Sequence, residues 1–111
     1  MMSDDNQILR ISKAFALRII KMSDYLFTTY PRNRTVNVLT DQILRSGTSI
    51  CANVSESIDA QSTNDFISKL SIDLKEADET KTWLELLHES DYCQIIVSIP
   101  YTMTMRRFVQ S

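Results

Sequence analysis

The residues with the most chemical potential lie in one run, RSGTSICANVSE, residues 45–56. It holds the chain's single glycine, Gly47, beside the hydroxyls of Thr48 and Ser49 and the thiol of Cys51. A nucleophile elbow needs a second glycine and a preceding strand, and the run has neither. A phosphate loop needs several glycines and a following lysine, which are also missing. Glu85-Leu86-Leu87-His88 is a Glu-x-x-His, the half-motif of di-iron helical bundles. Such centres take two of these motifs plus further carboxylates, and this chain has one histidine. Cys51 and Cys93 show neither C-x-x-C nor metal-ligand spacing. Glu56, Glu76 and Glu79 can act as acid and base only if burial shifts their titration. The expectation is a protein without catalytic residues, metal or cofactor, and not an enzyme.

The elements that carry these residues are read from periodicity and punctuation. The 111 residues suit one domain, residues 1–111. One glycine and two prolines are too few for many turns, so the chain reads as all-α. Apolar residues at Ile8, Ile11, Phe15, Met22 and Leu26 place a first helix over about Asp4–Thr29. Leu9, Ala16, Ile20 and Phe27 form a second stripe roughly 120° around it. Arg10, Lys13, Arg18 and Lys21 form a third, basic face. Pro31 stops this helix. A second helix follows over about Asn37–Ile58, with Leu39, Ile43, Ile50 and Val54 on one face and Ser46 or Gly47 filling the gap.

Ser62 followed by Asp65 resembles a capping box and opens a third helix over about Thr63–Glu89. Phe66, Leu70, Ala77, Leu84 and Leu87 form its core stripe, while Ile72, Trp83 and Leu86 lie on another face. Lys69 with Asp73, and Lys75 with Glu79, stand at i, i+4 and read as solvated pairs. Pro100 belongs in a first turn, giving a short or irregular last helix over about Ile99–Val109, capped near Ser98. Four helices joined by short connections form an antiparallel up-down-up-down four-helix bundle.

Charge and composition narrow the function. Residues 7–50 carry seven Lys/Arg against two Asp/Glu, and residues 51–111 carry five against ten. Such opposed halves more often complement each other within a bundle than mark a nucleic-acid surface. No apolar run approaches the roughly 18 residues of a membrane span, and the acidic N-terminus does not read as a secretory signal. The two apolar strips outside the core stripes predict a subunit interface at Leu9, Ala16, Ile20, Phe27, Ile72, Trp83 and Leu86. The basic face at Arg10, Lys13, Arg18 and Lys21 is the candidate nucleic-acid surface.

QILRSGTSICANVSE (42–56), followed by AQSTNDFISKLSIDLKEADETKTWLELLHESDY (60–92), resembles a bacterial four-helix-bundle family, that of the large-subunit rRNA intervening-sequence proteins. It is similar, more distantly, to the accessory variability protein of diversity-generating retroelements. The signature falls on Arg45, Ser46, Gly47, Thr48, Ser49, Ala52, Asn53, Glu56, Phe66, Leu70, Glu76, Ala77, Glu79, Thr80, Trp83 and Leu84. The resemblance implies an antiparallel four-helix bundle assembled as a homopentameric ring, and two cysteines without metal or C-x-x-C spacing fit a reduced, cytoplasmic protein. Its retroelement relative binds nucleic acid and a reverse transcriptase, so nucleic acid or a nucleic-acid enzyme is an implied partner. Three features depart from the pattern: Cys51 stands where members commonly carry glycine, residues around Pro100 match poorly, and the overall balance is acidic.

Overall fold

A computed structural model describes the backbone of residues 2–92 and the side chains of residues 7–92. Within these residues the chain forms three α-helices and no strand: α1 (Met2–Thr29), α2 (Arg34–Ile58) and α3 (Thr63–Glu89). The fourth helix expected over residues 99–109 lies outside the described residues. Helix α2 packs against both α1 and α3, and buried side chains of all three helices join one core cluster. The architecture is therefore two helical hairpins sharing their middle helix.

Each helix buries one seam whose members recur at steps of four and three, the signature of helices packed nearly parallel to a bundle axis. On α1 the seam is Ile8, Ser12, Phe15, Ile19, Met22 and Leu26. On α2 it is Val36, Thr40, Ile43, Gly47, Ile50, Val54 and Ser57, with Ser46 beside Gly47. On α3 it is Phe66, Leu70, Asp73, Ala77, Thr80 and Leu87, with Leu84 packed against the same core. Serine and threonine occupy seam positions at little cost because their hydroxyls bond back into their own helix. Ser12 donates to the Leu9 carbonyl (2.9 Å), Thr40 to Val36 (2.6 Å) and Ser57 to Val54 (2.7 Å).

Local chemistry sets the ends. Asn33 accepts a hydrogen bond from the Val36 amide (3.1 Å), so α2 starts at Arg34, three residues before the apolar pattern predicts. Ser62 caps α3 by accepting from the Asp65 amide (3.1 Å). The Asp65 carboxylate reaches back to the Gln61 amide (3.4 Å), one residue beyond the partner a standard capping box uses. At the opposite end, Tyr30 and Tyr92 meet edge to face with centroids 5.5 Å apart. The Tyr30 hydroxyl also donates to the Tyr92 carbonyl (3.0 Å). This contact fastens the α1–α2 turn to the end of α3.

At Gly47 the backbone of α2 packs tightly on an α1 side chain. A Cβ at this position would stand 3.1 Å from both Cγ1 and Cγ2 of Ile19. A mid-helix glycine costs about 1 kcal/mol against alanine, and the buried Ile19 side chain seated on it supplies the compensating packing. Gly47→Leu is expected to lower stability by about 1–3 kcal/mol through overpacking, read as a fall in melting temperature. Adding Ile19→Ala should recover part of the loss. A Gly47→Leu variant that melts like the parent would show that the crossing has slack.

Candidate functional site

The signature stretch divides between two interfaces according to its position around α2. Gly47 faces Ile19 of α1. Ser46, its neighbour in sequence, faces α3, where its hydroxyl lies 2.7 Å from that of Thr80, both groups being buried. Thr80 also sits 2.7 Å from the Glu76 carbonyl, so the pair is satisfied within the seam. Thr48 and Ser49 donate to the Leu44 (2.7 Å) and Arg45 (2.7 Å) carbonyls of their own helix. Arg45, Ala52 and Glu56 are exposed on the outer side of α2, and Cys51 and Asn53 are half-buried.

Seven residues from Ser46 along α2 stands Asn53, and seven residues from Thr80 along α3 stands Asp73, so the two pairs occupy successive layers of one antiparallel seam. Asp73 is 0% exposed. The solvated Lys69–Asp73 pair expected from spacing is not formed; Lys69 instead pairs with Asp65 (3.4 Å). The expected Lys75–Glu79 pair is likewise not formed. Glu79 accepts from the Trp83 indole N–H (3.4 Å), and the other ion pair among the described residues joins Lys81 to Glu85 (3.9 Å). The physical reason is position: residue 73 continues the buried progression Phe66, Leu70, Asp73, Ala77, Thr80, which turns its side chain inward from the solvated Lys69.

Burial pushes the Asp73 carboxyl up from its ordinary 3.8 to about 7, and the nearby carboxylates of Glu76 and Glu56 push the same way. The Asn53 side chain opposes this by hydrogen bonding. That bond is not well formed, since neither Asp73 oxygen has a partner at hydrogen-bonding distance and angle. The α2–α3 seam thus contains a carboxyl group that keeps its proton well above the usual carboxylate range.

The other predicted residues are dispersed over the surface. Arg10, Lys13, Arg18 and Lys21 are all exposed on α1. None forms an ion pair among the described residues, because the closest packing of the acidic helix α3 is on α2. Of the residues expected at a subunit interface, Ile20, Ile72 and Leu86 are 47%, 52% and 48% exposed. Leu9, Phe27 and Trp83 are half-buried, and Ala16 is buried within the chain. Sequence reasoning missed three further exposed apolar side chains, Leu17, Tyr25 and Val38. It also missed Asp73 as a buried group, although the four-three spacing of the α3 seam marks it.

The raised titration of Asp73 fixes the sign of a pH effect. Between pH 4 and 7 the unfolded chain has lost this proton and the folded chain keeps it, so stability from this group is present at low pH and lost as pH rises. The full effect is on the order of 4 kcal/mol at about 1.4 kcal/mol per unit. Denaturant unfolding of the parent and Asp73→Asn at pH 5 and pH 8 should show the variant gaining on the parent at pH 8. Parallel pH profiles for the two would mean that Asp73 is ionised in the folded protein.

Comparison with known proteins agrees with this architecture. The sequence profile described as 23S rRNA-intervening sequence protein matches residues 4–100. A solved structure from Bacteroides thetaiotaomicron VPI-5482, described as a protein with unknown function from the S23 ribosomal protein family, superposes with a TM-score of 0.72. It is 39% identical, and the match covers 96% of this chain and 88% of that one. No curated protein matches the chain. With the profile spanning nearly all of α1, α2 and α3, the chain belongs to the 23S rRNA-intervening sequence protein family.

Proposed function

We propose that this protein is a non-enzymatic scaffold that works as a self-assembled oligomer. The observation that carries this is the set of large apolar side chains left open on the helices flanking α2: Leu17 and Ile20 on α1, Ile72 and Leu86 on α3. Single exposed apolar residues are ordinary, but recurrent ones on the same helices mark a surface that another surface covers. The ring size of five and the completed up-down-up-down four-helix bundle follow the family resemblance and belong to the proposal. So does the cytoplasmic location. No helix among the described residues is long and apolar enough to cross a membrane.

Light scattering after size exclusion tests the reading. A homopentamer has five times the 12.8 kDa mass of the chain, and Ile20→Asp with Ile72→Asp should shift the peak toward monomer. A parent that runs as a clean monomer at micromolar concentration would sink the proposal.

A second reading rests on the basic face of α1, whose four cations find no acidic partner among the described residues. Such a face can engage phosphates, as in a nucleic-acid-binding accessory protein or the partner of a nucleic-acid enzyme. Binding of an RNA or DNA duplex that weakens with salt, and that is lost on reversing Arg10, Lys13, Arg18 and Lys21, would support it. Binding unchanged by those reversals would remove α1 from consideration.

A further inference from the structure

The two polar layers of the α2–α3 seam are unequal. At the first, the Ser46 and Thr80 hydroxyls meet at 2.7 Å, and Thr80 also reaches the Glu76 carbonyl. At the second, one heptad away on both helices, Asp73 is fully buried opposite Asn53 and neither of its oxygens has a partner. Among the described residues no cation is placed to serve it. From α2 it is faced by Asn53 and Glu56, and on its own helix by Glu76. Lys69, one turn back on α3, is paired with Asp65 at 3.4 Å, and Lys75 is exposed. The buried seam of α1 carries no charged side chain, and Arg10, Lys13, Arg18 and Lys21 are exposed.

The polar contacts that fasten α3 lie to one side of this layer. The Ser46–Thr80 bond and the Tyr30–Tyr92 contact are both C-terminal to Asp73. On the N-terminal side the buried members of the seam are Phe66 and Leu70. A buried carboxylate without a partner is relieved by water. Releasing the first half of α3 admits that water and leaves the rest of the core in place, the pattern of a local opening. Once out of the seam, Asp73 also stands at i, i+4 from Lys69, a spacing at which opposite charges attract.

We propose that residues 63–76 form a pH-gated flap, which lies on α2 while Asp73 is protonated and peels away when Asp73 ionises, with the Ser46–Thr80 layer as its hinge. Acid closes the seam and alkali opens it, while α1 and the second half of α3 stay folded. The released segment is short for a helix without packing, so it unwinds as it leaves. The sign and size follow from the two forms. Closed, Asp73 keeps its proton to about pH 7; open, it has its ordinary value of 3.8. The open fraction therefore rises about tenfold per pH unit between these values and levels off above the higher one.

The test is amide hydrogen exchange on the full-length chain, read as protection factors from pH 5 to pH 9, without urea and in low urea. Amides of residues 70–76 are expected to lose about a hundredfold of protection between pH 5 and pH 7, and little more above that. Their dependence on urea should be shallow, because a flap exposes less surface than whole-chain unfolding. Core amides of α1 should be better protected at every pH and respond steeply to urea. Asp73→Asn should remove the pH dependence at residues 70–76, and Asp73→Ser supplies the same comparison if the first variant does not fold. Residues 70–76 that match α1 in protection and in urea dependence would show that Asp73 acts only on unfolding of the whole chain, and would overturn the flap. Protection in the parent that does not change with pH would overturn it as well, as would a pH dependence that survives replacement of Asp73.

Discussion

Everything in this fold depends on α2 having two different neighbours. The demands of the two sides are unlike, and consecutive residues meet them. Gly47 gives up its side chain so that Ile19 of α1 can sit against the backbone. Ser46, 100° away around the helix, keeps a hydroxyl that meets Thr80 of α3. One side is closed by dispersion at short range, and the other is aligned by a directional polar contact. A run that reads like an active-site loop is thereby explained as two packing solutions placed side by side.

The α3 side carries a liability together with its alignment. A core that excludes water but keeps an unpaired carboxyl gives up stability whenever that group ionises. Asp73 opposite Asn53 does not strengthen the seam as an apolar pair would. Buried polar groups of this kind are best known for fixing the register of packed helices. Ser46 with Thr80, and Asn53 with Asp73, are spaced one heptad apart on both helices. A slip of α3 along α2 would separate both pairs at once, whereas the apolar seam members are more nearly interchangeable.

Much of this was legible in the sequence, and what was not has identifiable causes. Apolar periodicity located all three described helices, and the Ser62–Asp65 pattern placed the start of α3 at Thr63. The start of α2 was read late because Arg34 and Thr35 carry no apolar signal and the cap at Asn33 is polar. Hydroxyl residues in the seams, such as Ser12 and Thr40, escaped a reading that scored apolar side chains alone. Asp73 was misplaced for a related reason. Its i, i+4 spacing from Lys69 mimics a surface ion pair, and only its phase with Leu70 and Ala77 shows that it faces inward. Among the described residues the acidic helix α3 does not pair with the basic face of α1, because charge balance in a sequence carries no information about which helices touch.

Sharing α2 between two hairpins also has a kinetic side. The closest backbone packing in the described core joins helices adjacent in sequence, α1 to α2 and α2 to α3, while the Tyr30–Tyr92 contact closes the longer loop. Chains whose contacts are this local fold quickly, because little loop entropy is lost before packing rewards it. Each hairpin joins helices adjacent in sequence across a short turn. The same helix that divides the surface into two separate faces thus makes the route to the folded state short.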